Sequence, residues 1–169
     1  MSTNTKGGQV YVRVGHWYVK TIGAAGALGG RSFDCPVDVA WDSKGRLHVV
    51  NRSAIVRVRV TICGLDDESF GEYALPDSEY ASPGAEVGKL ILPGAIAIDR
   101  SDIVYISDQH THSINLFDSE GKFIGKWGTL GDADGKLKDP WGLAFDSEEN
   151  LYVVDTGNNR IQKFTKDGT

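Results

Sequence analysis

The chain has no apolar run near the ~18 residues needed to cross a membrane, and its start, Met1-Ser2-Thr3-Asn4-Thr5-Lys6-Gly7-Gly8, has no apolar h-region of a secretory signal. A cytoplasmic protein without a membrane partner is therefore expected. With only Cys35 and Cys63 there is no disulfide framework, and two buried thiols are expected. Positive charge is scarce: 18 Lys and Arg stand against 23 Asp and Glu, a net charge of −5. That argues against nucleic-acid binding, where Lys and Arg must neutralise phosphates. There is no Gly-x-Ser-x-Gly nucleophile motif, no local Cys–His signature and no glycine loop between strand and helix to cradle a phosphate. The glycine-rich run Gly23–Gly30 returns in weaker form as Gly128–Gly135, which marks it as a linker between repeats.

What is abundant is glycine, 21 of 169 residues, in a chain with 40% apolar and 24% charged residues, a soluble globular composition. The glycines punctuate a repeat. Pro36-Val37-Asp38-Val39-Ala40-Trp41-Asp42 aligns with Pro93-Gly94-Ala95-Ile96-Ala97-Ile98-Asp99 and with Pro140-Trp141-Gly142-Leu143-Ala144-Phe145-Asp146. An Asp follows each Pro by six residues (Asp42, Asp99, Asp146), and Asn or Asp follows it by fifteen (Asn51, Asp108, Asp155).

Each copy reads as strands separated by tight turns. Alternation such as Val37/Val39/Trp41 argues a strand, and Asp42-Ser43-Lys44-Gly45 a turn. Leu47–Asn51 reads as a second strand, Ile55–Val58, Ile114–Phe117 and Ile161–Phe164 as third strands, and Phe123–Gly128 as a fourth. Four short antiparallel strands per ~45 residues have the dimension of a β-propeller blade. Copy three, with Pro140–Ala144, Leu151–Asp155 and Asn158-Asn159-Arg160-Ile161-Gln162-Lys163-Phe164, resembles an NHL repeat. Copy two carries Thr111-His112-Ser113-Ile114 in place of the usual Asn-x-Arg-Ile, and copy one is worn, its Asn51-to-Ile55 link two residues short.

The resemblance implies an all-β fold of NHL-type four-stranded blades, about three in this chain. That is a partial propeller or half of a six-bladed ring. The expected division is a disordered tail (1–9), a partial blade (10–35) with strands at Val10–Val14 and Trp17–Ile22, blades at 36–92 and 93–139, and an incomplete blade at 140–169. Two readings of the open ring compete: a fragment of a longer protein, or a homodimer closing the ring.

The resemblance implies no particular activity. The main expectation is a non-catalytic binding or scaffold module, gripping a protein or a small ligand through loops on one rim. The rim candidates are Asn51, Arg52, Asp108, Gln109, His110, His112, Asp155, Asn158, Asn159 and Arg160. The alternative is a metal-dependent lyase- or lactonase-like enzyme with its site at the central channel. His110, His112 and Asp108 would then hold Zn or Ca; otherwise no cofactor is expected. His48 stands where Tyr105 and Tyr152 stand and reads as packing. Trp17, Trp41, Trp127 and Trp141 read as inter-blade core. Arg57 and Arg59 read as the outer decoration of a strand, and the acid-rich Asp66–Glu86, with no Lys or Arg, as a solvated loop.

Overall fold

The computed structural model describes residues 4–6, 9–11, 22, 24–25, 32–52, 58–65, 69–73 and 88–169. Strands β1 (Asn4–Lys6) and β2 (Gln9–Tyr11) pair antiparallel, and β3 (Ala24–Ala25) pairs parallel with β4 (Ser32–Phe33). β1 falls inside the stretch expected to be a disordered tail. The strand expected at Trp17–Ile22 lies, except for Ile22, outside the described residues.

Three sheets follow. Blade 1 is β5 (Pro36–Trp41), β6 (Leu47–Arg52), β7 (Val58–Cys63) and β8 (Ser69–Tyr73). Blade 2 is β9 (Pro93–Ile98), β10 (Val104–Asp108), β11 (Ser113–Phe117) and β12 (Phe123–Trp127). Blade 3 is β13 (Pro140–Phe145), β14 (Leu151–Asp155) and β15 (Arg160–Phe164), with a single 3-10 turn at Thr156–Asn158. In each sheet sequential strands are neighbours and run antiparallel. The first strands, β5, β9 and β13, lie side by side. The linkers repeat as well: the parallel pairing of β3 with β4 has a counterpart in the bridge Leu130↔Leu137.

The core lies between blades, which is why each strand must be apolar on both faces. Alternate residues point to opposite sides of a sheet. Ile96 of β9 therefore joins the seam with blade 1, while its neighbour Ala97 joins the seam with blade 3. The first seam buries Val50, Val60 and Ile62 against Val104, Ile106 and Phe117; the second buries Tyr105 and Ile114 against Leu151, Val153 and Phe164. Full burial of a side chain such as Ile106 or Phe117 is worth roughly 1.5–3 kcal/mol. A linker side chain three residues before each Pro plugs the inner part of each seam: Leu90 in the first, Leu137 in the second. Phe33 holds the same place beside Leu47, Val49 and Cys63.

Copy one departs from its sequence reading. Its third strand is described over Val58–Cys63; of the Ile55–Val58 expected, residues 55–57 lie outside the described residues. Arg59 pairs with Asn51, where Ser113 pairs with Asp108 and Arg160 with Asp155. The link is thus three residues longer than in its sister repeats rather than two shorter. Arg59 is buried, not an outer decoration, because Glu72 on β8 reaches its Nε at 2.8 Å. Part of the supposed acidic loop is β8 itself, paired with β7 through Tyr73↔Val60. Cys63 is buried as expected, but Cys35 is exposed, on a left-handed backbone (φ 49°). Trp41 and Trp141 are exposed rather than core; Trp127 does pack in the second seam, its ring 5.0 Å from that of Phe164.

Candidate functional site

Each blade has two ends. The tip end carries the hairpin between the first and second strands. There Asp42, Asp99 and Asp146 turn their Oδ1 back to cap the N–H groups two and four residues ahead: Lys44 and Arg46, Ser101 and Ile103, Glu148 and Asn150. Asp118 does the same for Glu120 and Lys122 between the third and fourth strands of blade 2. This is the Asx-turn chemistry that favours Asp before a tight turn. The fourth turn residue is left-handed: Gly45 and Gly121, but also Asp102 (φ 60°) and Glu149 (φ 63°). A non-glycine residue there costs roughly 1 kcal/mol. Both use their side chains to tie blades together. Asp102 accepts from the Ser43 N–H (2.7 Å) and hydroxyl of blade 1, and Glu149 from the Arg100 N–H (2.8 Å) of blade 2.

Polar groups are also buried along the first seam at this end. Arg46 bonds Asp42 Oδ2 at 2.7 Å and reaches Glu120 of blade 2 at 3.1 Å. His48 is buried between the Tyr73 hydroxyl (3.1 Å) and Asp42 Oδ2 (3.4 Å). Burial alone would raise the Asp42 carboxyl. The Arg46 N–H and guanidinium bonds and His48 outweigh it and hold Asp42 below the usual carboxylate range. Burial lowers His48 in spite of the Asp42 bond, so it is neutral at pH 7. Burial, with the Asp99 carboxylate beside it, pushes the Tyr105 phenol up to about 12.

The rim end holds the candidates read from sequence. Asn51, Asp108 and Asp155 are fully buried. Each accepts from a backbone N–H seventeen residues upstream, two before the Pro of its own blade: Asp34 N–H to Asn51 (3.1 Å), Ile91 N–H to Asp108 (2.7 Å), Lys138 N–H to Asp155 (2.6 Å). They are anchors for the linker. Asp108 Oδ1 is further occupied by the His110 and Thr111 N–H groups. Asp155 Oδ2 accepts from Asn158 (2.9 Å), Arg160 (2.8 Å) and Gln162 (3.0 Å). Burial would raise Asp155, but Lys138, Asn158 and Arg160 together hold it low. Arg160 goes on to the carbonyls of Ala133 and Lys136, and Asn158 to that of Gly131. Asn158, Arg160 and Asp155 thus splint the linker before blade 3.

Gln109 is buried, its N–H on the Leu92 carbonyl. His110 and Asn159 are exposed. His112 is part-buried on a left-handed backbone (φ 52°), and its Nδ1 accepts the Asp139 N–H at 3.1 Å. The set nominated for a metal does not fit one. Both Asp108 oxygens and His112 Nδ1 already accept backbone N–H bonds, and no three His, Cys, Asp or Glu among the described residues converge.

Arg52, by contrast, meets a residue that the sequence reading placed in the core. Its guanidinium carbon lies 5.2 Å from the ring centroid of Trp141, a cation–π stack. Trp141 stays 43% exposed. Gly94 makes room for it: a Cβ there would sit 3.3 Å from Trp141 Cα and 3.2 Å from the Ser107 hydroxyl. Gly94 and Trp141 both directly follow a repeat Pro, and that spacing was the available signal.

Strands lying first beside first, cores between successive sheets and anchors repeating at one end define a set of β-propeller blades. Residues 137–164 match the NHL repeat family. Virginiamycin B lyase from Staphylococcus aureus superposes with a TM-score of 0.54 at 19% identity, over 79% of this chain and 39% of that one. A streptogramin B lyase superposes equally (TM-score 0.54, 15% identity, 81% of this chain and 39% of that one). The extracellular domain of a putative hybrid two component system from B. thetaiotaomicron gives 0.52 at 15% identity, over 86% and 20%. At such identities the likeness is one of fold. The chain spans about two-fifths of the length of either lyase. Among curated proteins none matches.

Proposed function

We propose that the chain is a non-catalytic binding module that engages a protein partner through the rim end of its blades. The carrying observation is the Arg52–Trp141 pair, a half-exposed aromatic under a cation. Trp and Arg are the side chains that most often anchor protein interfaces. The polar groups that would suit chemistry, Asp108 and Asp155, are committed to the backbone, which supports binding over catalysis. No particular observation favours the lyase or lactonase reading.

Immobilised chain exposed to native extract should retain a stoichiometric partner. Trp141→Ala should lose it, and Glu148→Ala, at the opposite end, should keep it. Measurable turnover of a small substrate with no stoichiometric partner retained would overturn the reading.

A further inference from the structure

The cation at the rim has bonding capacity that the fold does not use. A guanidinium carries five N–H donors in a planar fork. Four of the five described arginines spend theirs inside the protein: Arg46 on Asp42 and Glu120, Arg59 on Glu72, Arg100 on the Ser147 carbonyl, Arg160 on Asp155. Arg52 is the exception. Its guanidinium lies over the Trp141 ring, and among the described residues no carboxylate or carbonyl accepts from it. The pair joins blade 1 to blade 3, and β9 of blade 2 lies between β5 and β13. Trp141 therefore leans over blades formed within the chain, with 43% of its surface open. Lys138, three residues before Trp141, is also exposed and forms no ion pair among the described residues.

We propose that the Arg52–Trp141 pair takes the side-chain carboxylate of an acidic segment of the protein partner. This rests on the reading of the rim as the binding surface and adds the chemistry that the surface selects. Charge complementarity carries it. Arg52 is a cation without a counter-charge, and its fork matches the two oxygens of a carboxylate. The ring beneath restrains the guanidinium before any partner arrives, so less rotamer freedom is lost on binding. The open part of the indole then supplies apolar contact for the residue beside the acid. A chain-terminal carboxylate fits less well, because its capture uses a nest of free backbone N–H groups. At this rim those groups are taken: Asp34 by Asn51, Ile91, His110 and Thr111 by Asp108, Lys138 by Asp155. The N–H of Arg52 itself goes to the Cys35 carbonyl. A polyphosphate chain needs an array of cations, which a net charge of −5 does not favour.

The test follows the Arg52 Nε–H and the Trp141 indole N–H of the full chain by nitrogen-15 NMR during titration with a capped peptide, acetyl-Ala-Glu-Phe-Glu-Ala-amide. Both resonances should move saturably, with a millimolar dissociation constant. The same peptide with Gln in place of each Glu should bind about tenfold more weakly, the loss of one charge-assisted bond. That Gln peptide with a free C-terminus should gain nothing over its amide, and inorganic phosphate should move neither resonance at matched concentration. Arg52→Gln should abolish the response to the Glu peptide while amide resonances elsewhere keep their positions. Equal binding of the Glu and Gln peptides would overturn the proposal and leave the rim as a binding surface that does not read charge. A response restored by the free C-terminus, or a stronger response to phosphate, would overturn it in favour of those ligands. No saturable movement with any peptide would also overturn it, and the capture of a partner by the immobilised chain tests the rim reading separately.

Discussion

Asp99, at a tip, caps the N–H groups two and four residues ahead of it, whereas Asp155, at the rim, caps one seventeen residues behind. Both are carboxylates holding backbone; the tip Asp recurs in every blade, and the rim position is Asp108 in blade 2 and Asn51 in blade 1. They differ in range. The tip cap closes a hairpin that short-range geometry would form anyway. The rim anchor fixes how a linker enters its blade and so where the first strand lies. What looks from composition like a ring of ligand-binding carboxylates is therefore the hardware of the repeat. Any recognition surface lies in what this hardware leaves exposed, as at Arg52 and Trp141.

The contrast in range sets the order of expected effects. Asp155→Ala strands the Lys138 N–H and removes the partner of the Arg160 Nε, and should cost about 3 kcal/mol in denaturant unfolding. A loss below that of a tip variant would break the distinction. Asp99→Ala removes a local cap and should cost about 1.5 kcal/mol by the same measurement.

The first tip also carries a titrating side chain, which sharpens the comparison further. His48 has its folded pKa lowered from 6.5, so its stabilising contribution is complete above pH 6.5 and declines as pH falls below that value. Asp42, lowered from 3.8, adds a second decline only as pH falls through that lower range. His48→Gln should flatten the melting temperature between pH 6.5 and 5, and an unchanged slope would remove His48 as its cause. The smallest effect is expected for Asp102→Gly. Relief of the left-handed strain, roughly 1 kcal/mol, is offset by loss of the tie to Ser43, for a net change within about 0.5 kcal/mol in the same melts.

Range also explains how much could be read without the structure. The strands, the tip turns and the blade count follow from alternation and from Asp with its partners within five residues. The recurrence of Asn51, Asp108 and Asp155 was equally visible, but their partners are backbone N–H groups, which leave no mark on residue identity. From sequence alone Asn51, Asp108 and Asp155 therefore fit a ligand-facing rim and a backbone-capping role alike. The shift of β7 to Val58–Cys63 and the burial of Arg59 escaped for a related reason: Glu72 lies on a strand that charge alone had marked as loop. Trp141 sits on a strand whose backbone comes close to Gly94, where a Cβ would lie 3.3 Å from Trp141 Cα, a neighbour only in space.

The seams have a kinetic consequence as well. Among the described residues blade 2 packs against a neighbouring blade on both of its faces, as an inner unit of a linear array does. The amides of Val104–Asp108, at the centre of that double packing, are then expected among the last to exchange with solvent.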